Sequence, residues 1–193
     1  MASGSGLQPQ PRALANLTLK LVTTPERGWP RLVSAQAKGE SLPSPLRHSV
    51  TVAAVSVVAT GLGWALGSGN TYAGTVLHVL AALLGYVGGS ALAVVLGPTF
   101  LNQGPTPSLV ARYVSGSVLP VSLSGIANVI PLLPIAFALA AAGAALSAHS
   151  GWIGASAMLA LEGQARLRAA VVPAGLAVGS VLTATCVRAV LPQ

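Results

Sequence analysis

Long, predominantly apolar stretches separated by short polar ones organise most of this chain. A helix crossing a bilayer needs about 20 mostly apolar residues. Stretches of this kind recur five times, at residues 49–66, 74–97, 113–130, 131–148 and 169–190. The run Gly67-Ser68-Gly69-Asn70-Thr71 reads as a turn between the first two. Residues 98–108 carry three prolines, Asn102 and Gln103, and read as a loop. Pro131 opens the fourth stretch, and Pro173 is tolerated near the start of the fifth. The fourth apolar run continues past His149 to Leu161. It is either one long, bent helix or a span followed by a short interfacial piece from Trp152.

Charge placement gives these stretches a direction. No Lys, Arg, Asp or Glu lies between Arg47 and Arg112 (64 residues), between Arg112 and Glu162 (49 residues), or between Arg168 and Arg188 (19 residues). The gaps have room for two spans, two spans and one. With five spans, Arg12, Lys20, Arg27, Arg31, Lys38, Arg47, Arg112, Arg166 and Arg168 fall on one side, and Arg188 alone on the other. Cytoplasmic flanks carry the excess of Lys and Arg, so the N-terminus is expected in the cytoplasm and the C-terminus outside. Only 7% of residues are charged, against about 25% in soluble domains. That composition excludes a soluble fold, and 53% hydrophobic residues exclude disorder. The expected fold is an all-α integral membrane protein of five transmembrane helices. The net charge of +7 follows from topology and attraction to anionic headgroups, with no stripe for nucleic acid.

Ahead of the spans, residues 1–18 are expected as a disordered tail, its first eleven rich in Ser, Gly, Gln and Pro. The first long apolar run starts too late for a secretory signal peptide. Residues 19–47 form the expected cytoplasmic interfacial segment. Thr24-Pro25-Glu26 has the form of an N-cap, a proline at the first helical position and an acid in the first turn. Trp29, Leu32 and Val33 then share one face, with Arg27 and Arg31 around the rest. A short basic amphipathic helix with a tryptophan suits the headgroup interface. The bland alternative is a connector that packs on the helix ends, and Pro30 limits the helix length.

Acids are the chemistry most clearly missing. There is no Asp, and Glu26, Glu40 and Glu162 all lie outside the expected hydrocarbon. Intramembrane catalysis and ion coupling depend on buried ionisable groups, so no catalytic residue, metal site or cofactor is expected. His48, His78 and His149 have no metal-binding spacing. His78 reads first as a neutral histidine hydrogen-bonded between helices, and second as a pigment ligand. Gly154-Ala155-Ser156-Ala157 is similar to the serine loop of rhomboid-type proteases, but no His follows His149 to act as base. Small residues are abundant instead. Gly85-x-x-x-Gly89 and Gly175-x-x-x-Gly179 permit close helix packing, and Ser115, Ser117, Ser122, Ser124 and Asn128 offer interhelical donors in span three. Pro120, Pro131 and Pro134 are expected helix breaks.

Several patches together resemble the Yip1-domain family, in its bacterial inner-membrane branch. Val22-Thr23-Thr24-Pro25-Glu26-Arg27-Gly28-Trp29 resembles the family's pre-membrane Thr/Ser-Pro-x-x-x-Trp motif, and Gly97-Pro98-Thr99-Phe100 its Ala-Pro-x-Phe phrase. Pro120, Gly125 and Pro131 resemble its Pro-x-x-x-x-Gly then Pro pattern between spans three and four. Where the family tends to have a Tyr one turn before the first of those prolines, this chain has Gly116, and the acid often found after the Trp is replaced by Pro30. The resemblance implies five spans, a cytoplasmic N-terminus and no catalytic residue. Its eukaryotic relatives associate with Rab-type GTPases and shape membranes.

The expected function is accordingly a non-enzymatic membrane scaffold or adaptor, or an accessory subunit of a larger membrane complex in a bacterial inner membrane. Its expected partners are an anionic bilayer and other membrane subunits or a second copy of itself. The alternative is a small transporter or channel working as an oligomer, with the proline-broken helices lining a midplane site. The five-span topology predicts that a reporter fused after Gln193 reads external; a cytoplasmic signal would remove the five-span count.

Overall fold

The computed structural model describes residues 11–66, 72–101, 106–130 and 132–190. These residues are helical almost throughout and contain no strand. Five helices are long and apolar enough to cross a membrane: Pro45–Leu66, Tyr72–Leu101, Pro107–Val129, Pro134–Leu159 and Gly163–Val187. In chain order the elements are α1 (Pro11–Thr23), α2 (Pro25–Ala37), α3 (Pro45–Leu66), α4 (Tyr72–Ala82), a π-helical turn (Leu83–Gly88), α5 (Gly89–Leu101), α6 (Pro107–Ser117), α7 (Leu119–Ser124), a 3₁₀ turn (Gly125–Val129), α8 (Leu133–Leu159) and α9 (Gly163–Val190).

The boundaries differ from the expected ones in physically readable ways. The second span extends beyond both expected ends and continues through Pro98. A proline in the last turn of a helix removes one donor without ending the helix when neighbours satisfy the freed carbonyl. The fourth span takes the longer of the two forms left open, a single helix to Leu159 that closes on Ala160 in the left-handed conformation (φ 52°). Residues 11–18, expected to be unstructured, form the first half of α1. The turn at 67–71 and the break at Pro131 lie outside the described residues. Pro134 sits in the first turn of α8, where it starts the helix rather than breaking it.

Pro120 does interrupt the third span. It cannot donate to the carbonyl four residues before it, and α6 ends at Ser117 with Val118 as the joint to α7. The chain then tightens into the 3₁₀ turn, which lies against α3. A methyl group on Gly63 would overlap the carbonyls of Asn128 and Val129 there. Span two packs on span five through the expected Gly85 and Gly89, where a methyl group would meet Ala184 and, at 2.6 Å, the Cβ of Ser180. Gly175 and Gly179 serve no such purpose within the chain. Both face outward, with nothing within 4 Å of an added methyl.

The α1–α2 hairpin packs into one end of the bundle, with Leu17, Leu21, Trp29 and Leu32 in the common core. Thr24 caps α2 by position but not by its side chain, and Pro30 lies inside the helix. Trp29 and Leu32, read from the sequence as groups for lipid headgroups, are buried (0% and 5% exposed) against protein. The physical reason is the small residues opposite. The indole lies over Gly116 of α6 and Gly154 of α8, and a methyl group at Gly116 would stand 2.6 Å from the ring. Val33 is half-buried, while Arg27 and Arg31 remain exposed.

If this seat is what holds the hairpin, Gly154→Leu should destabilise the protein by about 1–3 kcal/mol, as overpacking does. Thermal unfolding in detergent measures it, and adding Trp29→Ala should recover most of the loss. A Gly154→Leu protein as stable as the parent would show that the indole is not confined there.

Candidate functional site

Two groups of polar side chains lie inside the bundle. The first surrounds the Trp29 seat. Trp29 Nε1 donates to Ser150 Oγ (3.1 Å), and Ser150 Oγ donates to the Leu21 carbonyl (3.2 Å). The ring of Tyr113 lies 5.7 Å from that of Trp29. Its hydroxyl is within reach of two carbonyls, Ala169 (2.7 Å) and Gly151 (3.0 Å). Four elements, α2, α6, α8 and α9, therefore meet around one tryptophan and one tyrosine. Ser150 is not foreseen from the sequence, and Tyr113 is foreseen only as the tyrosine that stands one turn before Gly116. Tyr113 directly follows the lone Arg112 and shares a helical face with Gly116, the one signal that points to it.

The second group runs along the interrupted third span, where the freed backbone would otherwise be unpaired in an apolar interior. Ser115 donates to the Pro45 carbonyl (2.8 Å) and accepts from Ser49 (3.3 Å). Ser122 bonds Ser90 of span two (2.8 Å), and Ser147 Oγ accepts from the backbone N–H of Val121 (3.1 Å). Asn128 Nδ2 donates to Thr60 Oγ1 (3.1 Å) and to the Tyr86 hydroxyl (3.2 Å). Tyr86 is carried by the π-helical turn, which aims it at the 3₁₀ turn. Of the five expected donors, Ser115, Ser122 and Asn128 bridge helices. Ser117 and Ser124 bond carbonyls of their own turns.

His78 belongs to neither group. Its ring stacks on Trp64 (centroids 3.7 Å apart, 27° between planes), and Nδ1 donates to the Gly74 carbonyl one turn back (2.7 Å). It lines neither of the two cavities described below. Among the described residues no three His, Cys, Asp or Glu side chains come together as a metal site. Glu26 and His149 face each other at 3.5 Å, both exposed, where solvent leaves such a pair little energetic weight. Cys186 is exposed on α9.

Two concavities flank the bundle. One is a narrow cleft beneath the hairpin, with a 10 Å³ interior, bounded by Leu17, Leu42, Pro43, His48, Arg112 and Ser115 among others. Its walls are tied together: His48 Nε2 pairs with Thr18 Oγ1 (2.9 Å), and Arg112 donates to the Pro43 carbonyl (3.3 Å). The other is a shallow groove of 480 Å³ on the outer face between span two and α9. Its floor is Gly175, Gly179 and Ser180, and its walls include Leu84, Leu92 and Val187. At the hairpin's end of the bundle Arg166 covers the Trp152 ring (4.2 Å) and donates to its carbonyl (2.8 Å).

The polar interior consists of neutral hydroxyls, one amide and the aromatic polar tips. Such groups join helices and orient one another. Replacing Tyr113 by Phe should cost about 1 kcal/mol of stability, the usual net value of one hydrogen bond. Chemical unfolding in detergent measures the loss, and an unchanged midpoint would place the hydroxyl outside the structural network. No family model, curated protein or solved structure matches this chain.

Proposed function

We propose that this protein is a non-enzymatic membrane scaffold or adaptor, or an accessory subunit of a larger membrane complex, as its resemblance to Yip1-domain proteins suggests. The observation that carries the reading is the outer groove on α9. Inside a bilayer, apolar side chains gain nothing by leaving lipid for a partner, and association comes from close packing over small residues. The groove presents that kind of surface: glycines on the floor with open space above them, and leucine and valine walls. It fits one apolar helix of another subunit. The lack of Asp, and the exposed positions of Glu26, Glu40 and Glu162, support a role without chemistry.

The orientation belongs to the same proposal. The hairpin, the starts of α3, α6 and α9 and the end of α8 share one end of the bundle, together with nine of the ten basic residues. That end faces the cytoplasm by the positive-inside rule, in a bacterial inner membrane by the family resemblance. A second reading, a small oligomeric transporter, is favoured by one observation, the interruption of the third span at Pro120.

Gly179→Leu separates the two. An added methyl there meets nothing inside the chain, so folding should be unaffected while the groove fills. Purification in mild detergent should recover a fixed set of membrane partners with the parent protein and lose them with the variant. Unchanged recovery would reject the groove as the docking face. Solute flux from liposomes holding the purified protein alone would reject the scaffold reading.

A further inference from the structure

Arg112 lines the cleft beneath the hairpin together with His48 and Ser115. It is half-buried, in the first turns of α6. Its described hydrogen bond is from one terminal nitrogen to the Pro43 carbonyl, a long one at 3.3 Å. Among the described residues no carboxylate pairs with it; the ion pair found there joins Glu26 to His149. A guanidinium has five N–H donors in a planar fork, so most of its capacity is unused. A half-buried guanidinium with unused donors is suited to an anionic partner, which it can bind by charge-assisted hydrogen bonds.

The cleft beside it has the shape for such a partner. It is bounded by Arg112, His48 and Ser115 on one side and by Leu17, Leu21, Leu32 and Leu42 on the other. The hydroxyl of Ser115 and the Nε2 of His48 are already engaged, with Pro45 and Thr18, and Arg112 supplies the permanent positive charge of the cleft. The interior of 10 Å³ is about the space of a single oxygen-sized atom. A carboxylate and a phosphate both offer oxygens to arginine, but the cleft is at the end of the bundle with nine of the ten basic residues, the end that the positive-inside rule assigns to anionic headgroups, where phosphate esters are the abundant anion.

We propose that this cleft is a phosphate-ester site. One anionic phosphoryl oxygen enters between the Arg112 guanidinium and the hairpin, and the rest of the group remains at the mouth. The ligand is a lipid headgroup or a free phosphate, the two sources of that chemistry. A bound group would touch α1, α3 and α6 together and so couple the hairpin to the membrane surface. The site stands independently of the scaffold reading, because it shares no lining residue with the α9 groove.

The test uses the full chain in a maltoside detergent and reads retained lipid by native mass spectrometry. The probes are phosphatidylglycerol and, in a separate arm, inorganic phosphate. The parent protein should retain phosphatidylglycerol. Arg112→Gln should weaken retention by about tenfold, the value of one charge-assisted hydrogen bond. Arg168→Gln, an exposed cation at the same end, should change it less than about twofold, as expected of a solvent-screened charge. Competition by millimolar inorganic phosphate identifies free phosphate as the source; its absence identifies the headgroup. Equal retention by the parent and a folded Arg112→Gln protein overturns the site. If Arg112→Gln does not fold, Leu42→Trp fills the mouth without altering charge and should give the same loss. Unchanged retention with Leu42→Trp overturns the proposal equally.

Discussion

In a bilayer a helix loses nothing by leaving its leucines in lipid, so burial of apolar surface does little to hold five spans together. What remains is close backbone approach and the pairing of polar groups that hydrocarbon cannot solvate. Both occur in this molecule. Gly85 and Gly89 bring span two onto α9, Gly63 brings α3 onto the 3₁₀ turn, and Gly116 and Gly154 leave a space the size of an indole. Serines, one asparagine and the polar tips of Trp29, Tyr86 and Tyr113 take part in the pairing, and many of these groups lie on the third span or directly against it. The third span is also the most buried of the five. Its interruption at Pro120 and its wealth of hydroxyls belong together, because freed backbone groups need partners at that depth.

The hairpin of α1 and α2 extends the same logic beyond the spans. A tryptophan ahead of a membrane domain reads as an anchor in the headgroups, since its ring is apolar and its N–H polar. Here the ring enters protein, and the N–H is satisfied by Ser150. The exposed face of α2 keeps Arg27 and Arg31. The helix thus divides its two faces between the bundle and the surroundings, and the hairpin becomes part of the fold. That seat is built from two small residues, Gly116 of α6 and Gly154 of α8.

How much was legible follows from which signals are one-dimensional. Charge gaps of 64, 49 and 19 residues and a basic excess on alternate flanks are properties of the string, and they yield five helices of spanning length. Interhelical donors on span three are partly readable, because a serine hydroxyl in hydrocarbon must bond either a neighbouring helix or a carbonyl of its own turn. Which serines bridge and which bond their own turn is not, since Ser115 and Ser117 differ only in the side of the helix they occupy. The two Gly-x-x-x-Gly repeats look alike as text, yet Gly85 and Gly89 face a neighbouring span and Gly175 and Gly179 face outward. Arg112 counted only as one more positive flank until the fold enclosed it beside Pro43 and His48.

The sequence by itself determined the solvent and the class of this protein: too few charges to cover a soluble surface, and apolar runs of spanning length spaced along the chain. These follow from local composition, which needs no knowledge of neighbours. The destinations of Trp29, the two glycine repeats and Arg112 were decided only by tertiary structure. Each depends on which residue of a distant helix lies opposite, as Ser150 does to Trp29 across 121 positions, and that pairing is written in no single stretch of the chain.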